Sequence, residues 1–392
     1  MTAGKTWPSE LITYADPRTG VEVKQLTNYR AHSHHFYFTN PGWYDAGRKM
    51  VFSSDRENKT NLFSIDLSTY EITQLTDLTP LPLPREVEFL RACLNPVKAE
   101  AYFWYGYELM ALDLNTLAQR PLHRMQDGWD VSMINCSADG KYVYSSISED
   151  LSDQFRVDLL RGYVGFRETW AAMPLSQIVQ VAVDGSGSNV VWEENYWVGH
   201  VNTSPKHPHL LTFCHEGPWH EVDNRIWGLN ADTGEVWKIR PSEVEGEIVG
   251  HEYWHTDGEM IGYHGFDADK QGFFGHIRYD NTGKIEVPFD TSKFPNGHGH
   301  FHSNDIQMVV SDVGPTVDLW QWNGQDYGEA RALCSHDSSF KTQQQHVHPR
   351  FNAAGTQVVF TSDVSGYGNV YLCDMVDFDS LPLVGDVVQE GS

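Results

Sequence analysis

Long apolar runs are missing from this chain. Nowhere do the roughly 18 consecutive apolar residues of a spanning helix occur, so no membrane partner is expected. Positive charge is scarce too: 28 Lys and Arg face 53 Asp and Glu, a formal charge of −25. Nucleic acid and anionic membranes are excluded as partners, because both need clustered Lys and Arg. That argument does not reach a small acidic substrate, since a local pocket of Arg, His and metal binds a carboxylate whatever the global charge. Cysteine is sparse, with Cys93, Cys136, Cys214, Cys334 and Cys373 widely scattered and no CxxC pair. This excludes a disulfide frame and a zinc knuckle and predicts reduced, core-forming thiols. The first ten residues carry no apolar leader core, so a cytoplasmic chain is expected. Low-complexity linkers and any sustained helical period are also absent.

Aromatics are plentiful, with 13 Trp, 18 Tyr and 19 Phe, and they recur in a pattern. Residues 43–55 run aromatic, polar, Gly turn, strand, then Ser-Asp, and so do residues 351–363. Each is followed by a second strand, Asn61-Leu62-Phe63-Ser64-Ile65-Asp66 and Asn369-Val370-Tyr371-Leu372-Cys373-Asp374. Units of about 40 to 50 residues made of short strands and turns have the period of propeller blades. Further units span 89–122, 131–192, 198–240, 249–287, 298–333 and 346–375. The third is the longest, and its insert from 149 onward is expected to hold a helical loop over one face. Residues 20–27 read as the last strand of a blade and are expected to close the ring against the C-terminal unit, which removes free sheet edges. The expectation is an all-β, seven-bladed β-propeller, a single domain over 1–392. A pair of β-sandwiches would not explain the sevenfold recurrence.

Histidines sit on this repeat in phase. Val198-Gly199-His200, Val249-Gly250-His251, Gly299-His300 and Gln345-His346 each open a blade about one period after the last. Equivalent positions in successive blades lie at one height around the channel, so these four are expected to form an arc at one mouth, with His348 and His34 or His35 nearby. In an extended segment His346 and His348 share a face. Gln343 lies three residues upstream, where a bend would bring its amide oxygen to the same point. Imidazoles and an amide oxygen suit a first-row metal; the competing reading is a strand end with two solvated histidines. Four histidines in phase favour a metal or carboxylate site.

At these residues the chain resembles the oligogalacturonate lyases, seven-bladed propeller enzymes that finish pectin breakdown inside bacterial cells. The likeness runs essentially full length in blade order. It is carried by Phe213-Cys214-His215-Glu216-Gly217-Pro218, Asp223-Asn224-Arg225-Ile226-Trp227, His251-Glu252-Tyr253-Trp254 and His300-Phe301-His302-Ser303-Asn304, then by Gln343, His346, His348 and Pro349. The resemblance implies a divalent ion, Mn2+, held by His300, His346, His348 and Gln343, with His251 as general base and Arg225 as a functional arginine. It also implies a short oligogalacturonide as substrate. The chain departs from the family in having His34-His35 where a His-Arg pair is usual, which bears on one carboxylate contact. His302 and Arg350 are further polar residues beside the metal positions, so His302 stands as an alternative to His300. Substrate contacts are expected from His200, His215, His35 and Arg350.

The chemistry so implied is β-elimination on a uronic acid. The C5 proton lies α to a carboxylate and is barely acidic, so its removal calls for a cation and a bidentate donor on that carboxylate and a neutral imidazole as base. Bland roles compete at several positions: a salt bridge from Arg225 to Asp223, a loop satisfied by His215, and core packing or sugar stacking for Tyr253 and Trp254. Three other functions compete as well: elimination on a different oligouronide, a non-catalytic sugar- or protein-binding propeller, and metal-dependent hydrolysis, which needs carboxylates flanking the bond.

Overall fold

A computed structural model describes residues 3–83, 85–289 and 299–389 of the chain. Alternating apolar strands broken by Gly, Asn and Asp turns fold as seven antiparallel sheets, the blades of a propeller. Blades 2 to 6 are four-stranded meanders in chain order. Blade 4, for example, runs Val198–Thr203, Leu210–His215, Ile226–Asn230 and Glu235–Arg240, innermost first. Two short helices, Phe166–Ala172 and Val384–Gln389, are the α-helices among the described residues. No helix is long and apolar enough to cross a membrane.

Ring closure follows the expectation. Glu22–Gln25 pairs antiparallel with Asn369–Asp374, with Val23 opposite Cys373 and Gln25 opposite Tyr371. Ile12–Ala15 continues blade 7 outward, while Thr6–Trp7 pairs with the outer strand of blade 1. One segment therefore edges both blades at the seam. It is pinned there by Glu10, whose carboxylate takes both terminal nitrogens of the buried Arg56. Blade 1 begins earlier than its repeat implied: its inner strand is Ser33–His34, and Trp43–Tyr44 is a short hairpin partner of the same neighbour, Lys49–Ser54. The start of the sixth unit at His298 lies outside the described residues.

Apolar clusters fill the spaces between blades, such as Tyr144, Ile178, Val198, Val201, Leu211, Phe213 and Leu229 between blades 3 and 4. All five cysteines are buried and unbridged. Turn chemistry also locks blade to blade. Gly140 sits at φ +68, and a Cβ there would lie 2.4 Å from Asn95 Oδ1 of the preceding blade. The insert of blade 3 occupies residues 150–174, and its helix falls at Phe166–Ala172, in the continuation rather than at 149–161.

Candidate functional site

Local backbone geometry aims the histidines. The inner strands of blades 4 and 5 slip register between Gly199 and Asn202 and between Gly250 and Tyr253. These bulges hold His200 at φ +46 and His251 at φ +52, and His348 stands at φ +48. Left-handed backbone at a residue other than Gly costs on the order of 1–3 kcal/mol and persists where surrounding structure imposes it; bulges beside sites re-aim side chains. The glycines before two of these histidines make room for neighbours. A Cβ on Gly250 would meet Trp219 at 2.7 Å, and one on Gly199 would meet Glu216 Oε2 at 3.0 Å.

His300, His346 and His348 each offer a ring nitrogen, all within 4.8 Å of one another. His300 Nδ1 pairs with Asp312 Oδ2 at 2.9 Å, so Nε2 is the nitrogen turned to the cluster. Asp312 also accepts the backbone N–H of His300 at 2.6 Å and of His348 at 3.2 Å. Burial alone would raise the Asp312 carboxyl, but His300 outweighs it through charge and hydrogen bonds and brings it down to about 2. An imidazole backed by a carboxylate is the usual support for a metal-binding histidine. His348 Nε2 is buried without a hydrogen-bond partner, a loss of about 1–3 kcal/mol unless something binds it. Burial and the neighbouring imidazoles hold His348 well below the ordinary histidine value, hence neutral. Gln343 lies on the one-turn helix Gln343–Gln345 that His346 terminates. Its amide N–H donates to the Tyr163 hydroxyl, and its backbone N–H to the Leu160 carbonyl at 3.0 Å, so the blade 3 insert docks on this turn.

A cavity of about 1290 Å³ opens above, lined by His200, Arg225, His251, His300 and Gln343 together with Tyr37, Tyr163 and much of the insert. His251 Nδ1 lies 2.8 Å from the Gly299 carbonyl, which puts the proton on Nδ1 and the lone pair on Nε2. Its ring stands 4.7 Å from that of His300 and edge-on to Trp219 at 4.9 Å. Arg225 is gripped by Glu216 at 2.7 Å and covered by Trp219 at 5.5 Å. Asp223, the partner considered for Arg225 on spacing, pairs with His215 instead. Burial works against the Arg225 charge, but Cys214, Glu216 and Glu252 outweigh it and push its pKa up. Glu216 also takes His200 Nε2 at 3.2 Å. Burial would raise the Glu216 carboxyl, yet Arg225 and His200 hold it well below the usual range. Behind them Glu252 is buried with neither carboxyl oxygen hydrogen-bonded, and burial raises its pKa.

Three expected substrate contacts are not brought to this cavity. His215 has both ring nitrogens on carboxylates, Asp223 Oδ1 at 2.5 Å and Glu194 Oε1 at 3.1 Å, and stacks on Tyr196 at 3.9 Å. Burial would lower its pKa, but those two bonds raise it overall. His35 is buried with Nε2 at 3.2 Å from the Val347 carbonyl, and burial takes it down to about 3. Arg350 turns its guanidinium to the Phe38 carbonyl, and burial lowers it to about 9. His302 packs against Tyr253 at 5.3 Å and accepts the Phe351 N–H at 3.4 Å, so it is His300 that joins the cluster. Sequence reasoning passed over Asp312, Tyr37, Trp219 and Tyr163. Asp312 carried a signal: Ser311-Asp312 repeats the strand-ending Ser54-Asp55 and Ser362-Asp363.

Together the ring fold and a cavity floored by converging imidazoles define a propeller with an enzyme-like, metal-competent pocket. A sequence profile of the oligogalacturonate lyase family matches residues 1–280, and the chain belongs to that family of enzymes. Over 96% of its length it is 25% identical to an oligogalacturonide lyase of Pectobacterium atrosepticum, of which the match covers 99%. The same shares and identity hold for an oligogalacturonate lyase of Dickeya dadantii. Among solved structures, an oligogalacturonate lyase in complex with manganese superposes with a TM-score of 0.85 at 25% identity, over 96% of this chain and 99% of that one. The Vibrio parahaemolyticus oligogalacturonate lyase gives 0.84 at 22% identity, over the same shares, and shares the fold.

Proposed function

We propose that this chain is a single-domain, cytoplasmic lyase that cleaves short oligogalacturonides, of the digalacturonate class, by metal-assisted β-elimination. The observation that carries the reading is His251: its Nδ1 is tied to a backbone carbonyl while Nε2 keeps its lone pair beside the His300 ring, over the cavity. An imidazole so held is poised to take a proton from carbon.

His300, His346 and His348, with the Gln343 amide oxygen, would hold a divalent ion, Mn2+ for preference. Neutral nitrogen and amide donors fit it, and the orphaned Nε2 of His348 calls for it. When bound, the ion supplies Lewis-acid neutralisation of the uronate carboxylate. Arg225 shares that task with fixed N–H donors, its orientation set by Glu216 and Trp219. His200 contacts the sugar from the next blade. His251 Nε2 removes the C5 proton, the C4–O bond breaks, and a 4,5-unsaturated uronate forms without water.

Hydrolysis finds less support. Carboxylates do line the cavity wall, but Glu88 is paired with Arg91, Asp130 and Asp150 with Arg85, and Glu216 with Arg225. The test is ultraviolet absorbance of the chelated and then manganese-restored protein with di- and trigalacturonate. Absorbance that appears with metal supports elimination; new reducing ends without absorbance overturn it in favour of hydrolysis.

A further inference from the structure

Elimination needs a proton donor as well as a base. The C–H electron pair becomes the new double bond, and the C4–O pair leaves on the oxygen of the departing sugar, a poor alkoxide unless a proton reaches it. The residues assigned so far supply the base and the carboxylate contacts but not this proton. Most carboxylates on the cavity wall sit in ion pairs with arginine. The Ser148 hydroxyl is engaged with Ser176 at 2.7 Å, and the Tyr163 hydroxyl accepts from Gln343.

Tyr37 differs. It lines the cavity, and its ring is wedged among site histidines, 4.8 Å from His348, 5.4 Å from His200 and 6.0 Å from His300. Its backbone is pinned on both sides, its N–H to the Leu90 carbonyl and its carbonyl to the Asn40 N–H, each at 2.8 Å. Asn40 in turn bonds the carbonyls of Ala92 and Ile134 on blades 2 and 3. The Tyr37 hydroxyl makes no hydrogen bond with any described residue, and burial raises its pKa well above the ordinary tyrosine value, so it holds its proton. His251 and Tyr37 thus both pack on the His300 ring, at 4.7 and 6.0 Å, and both line the cavity.

Resting on the lyase reading above, we propose that Tyr37 is the general acid of the elimination, delivering its phenolic proton to the glycosidic oxygen that leaves C4 with the departing sugar while His251 takes the C5 proton. The step balances: one proton goes to His251, one leaves Tyr37, and the C4–O bond is exchanged for the C4–C5 double bond. Proton exchange with water then resets both residues.

The test compares two substrates, digalacturonate and a galacturonide carrying a nitrophenoxy group at C4, whose anion departs without a proton. Tyr37→Phe keeps the ring that packs on the histidines. It is expected to lose roughly a hundredfold to ten-thousandfold in kcat on digalacturonate and a fewfold on the aryl compound, with manganese affinity retained. Tyr163→Phe should show no such split. Equal losses of Tyr37→Phe on both substrates, or the split appearing in Tyr163→Phe, would overturn the assignment while wild-type turnover keeps the lyase reading. A wild-type protein inert toward both compounds removes that reading and the assignment with it.

Discussion

Two groups of histidines lie in neighbouring blades and differ in what holds them. At the cavity, His300, His346 and His348 converge, with Asp312 as the charged support. Nearby in blades 5 and 6, His255, His276, Tyr327 and Ser303 form a closed chain. His255 Nε2 meets His276 Nδ1 at 3.2 Å, His276 Nε2 meets the Tyr327 hydroxyl at 2.6 Å, and that hydroxyl donates to the Ile306 carbonyl at 2.8 Å. The Ser303 hydroxyl adds a contact to His255 at 3.3 Å. In the second group rings and hydroxyls satisfy one another, and burial keeps His255 at about 4 and His276 at about 3. In the first, one carboxylate fixes Nδ1 of His300, and the buried Nε2 of His348 has no hydrogen-bond partner among the described residues. Both ring nitrogens of His276 are partnered while the buried Nε2 of His348 is not, and that difference, more than burial, sets the two groups apart.

That contrast can be broken in graded steps. The largest effect is expected from His251→Ala, which should cost at least about a hundredfold in turnover while the metal count stays at the wild-type value; activity is read by absorbance and metal by elemental analysis. Next, Asp312→Asn should weaken manganese binding by roughly 10- to 100-fold, measured by calorimetric titration, because the His300 ring loses its anionic support. Tyr327→Phe should leave manganese affinity alone but lower stability by about 1–3 kcal/mol in denaturant unfolding, since the His276 nitrogen loses its partner. The smallest effect is a pH dependence. His255 and His276 titrate below the ordinary 6.5, so between pH 6.5 and about 4 the unfolded chain takes up protons that the folded chain refuses. Their contribution is complete above pH 6.5 and is lost as pH falls through that window. Unfolding midpoints measured across it should drop, and by less in a His276→Gln variant.

Much of the architecture was legible in advance because a repeat writes the same physical demand several times. Gly47, Gly140 and Gly355 turns, strand-ending Ser-Asp pairs and the stray strand around Val23 announced the ring and its closure. The phase of His200, His251, His300 and His346 likewise announced a shared mouth. What spacing could not convey was the direction of each side chain between blades. His215 keeps its place in a family motif, yet Asp223 and Glu194 consume both its nitrogens. His35 and Arg350 stand next to site residues in the chain and point to backbone carbonyls of neighbouring segments. Tyr37 was invisible for the opposite reason, since contacts with His348, hundreds of residues away in sequence, give it its place; Asp312 was signalled by its repeat, but not its bonds to His300 and His348.

The central claim is that the converging imidazoles form a cation site and the closed chain beside them does not. It is tested most directly by calorimetric titration of manganese into wild type, His348→Ala and His276→Gln. The account predicts one ion per chain in wild type and in His276→Gln, and loss of that binding in His348→Ala. Undiminished binding by His348→Ala, or its loss in His276→Gln, would contradict it.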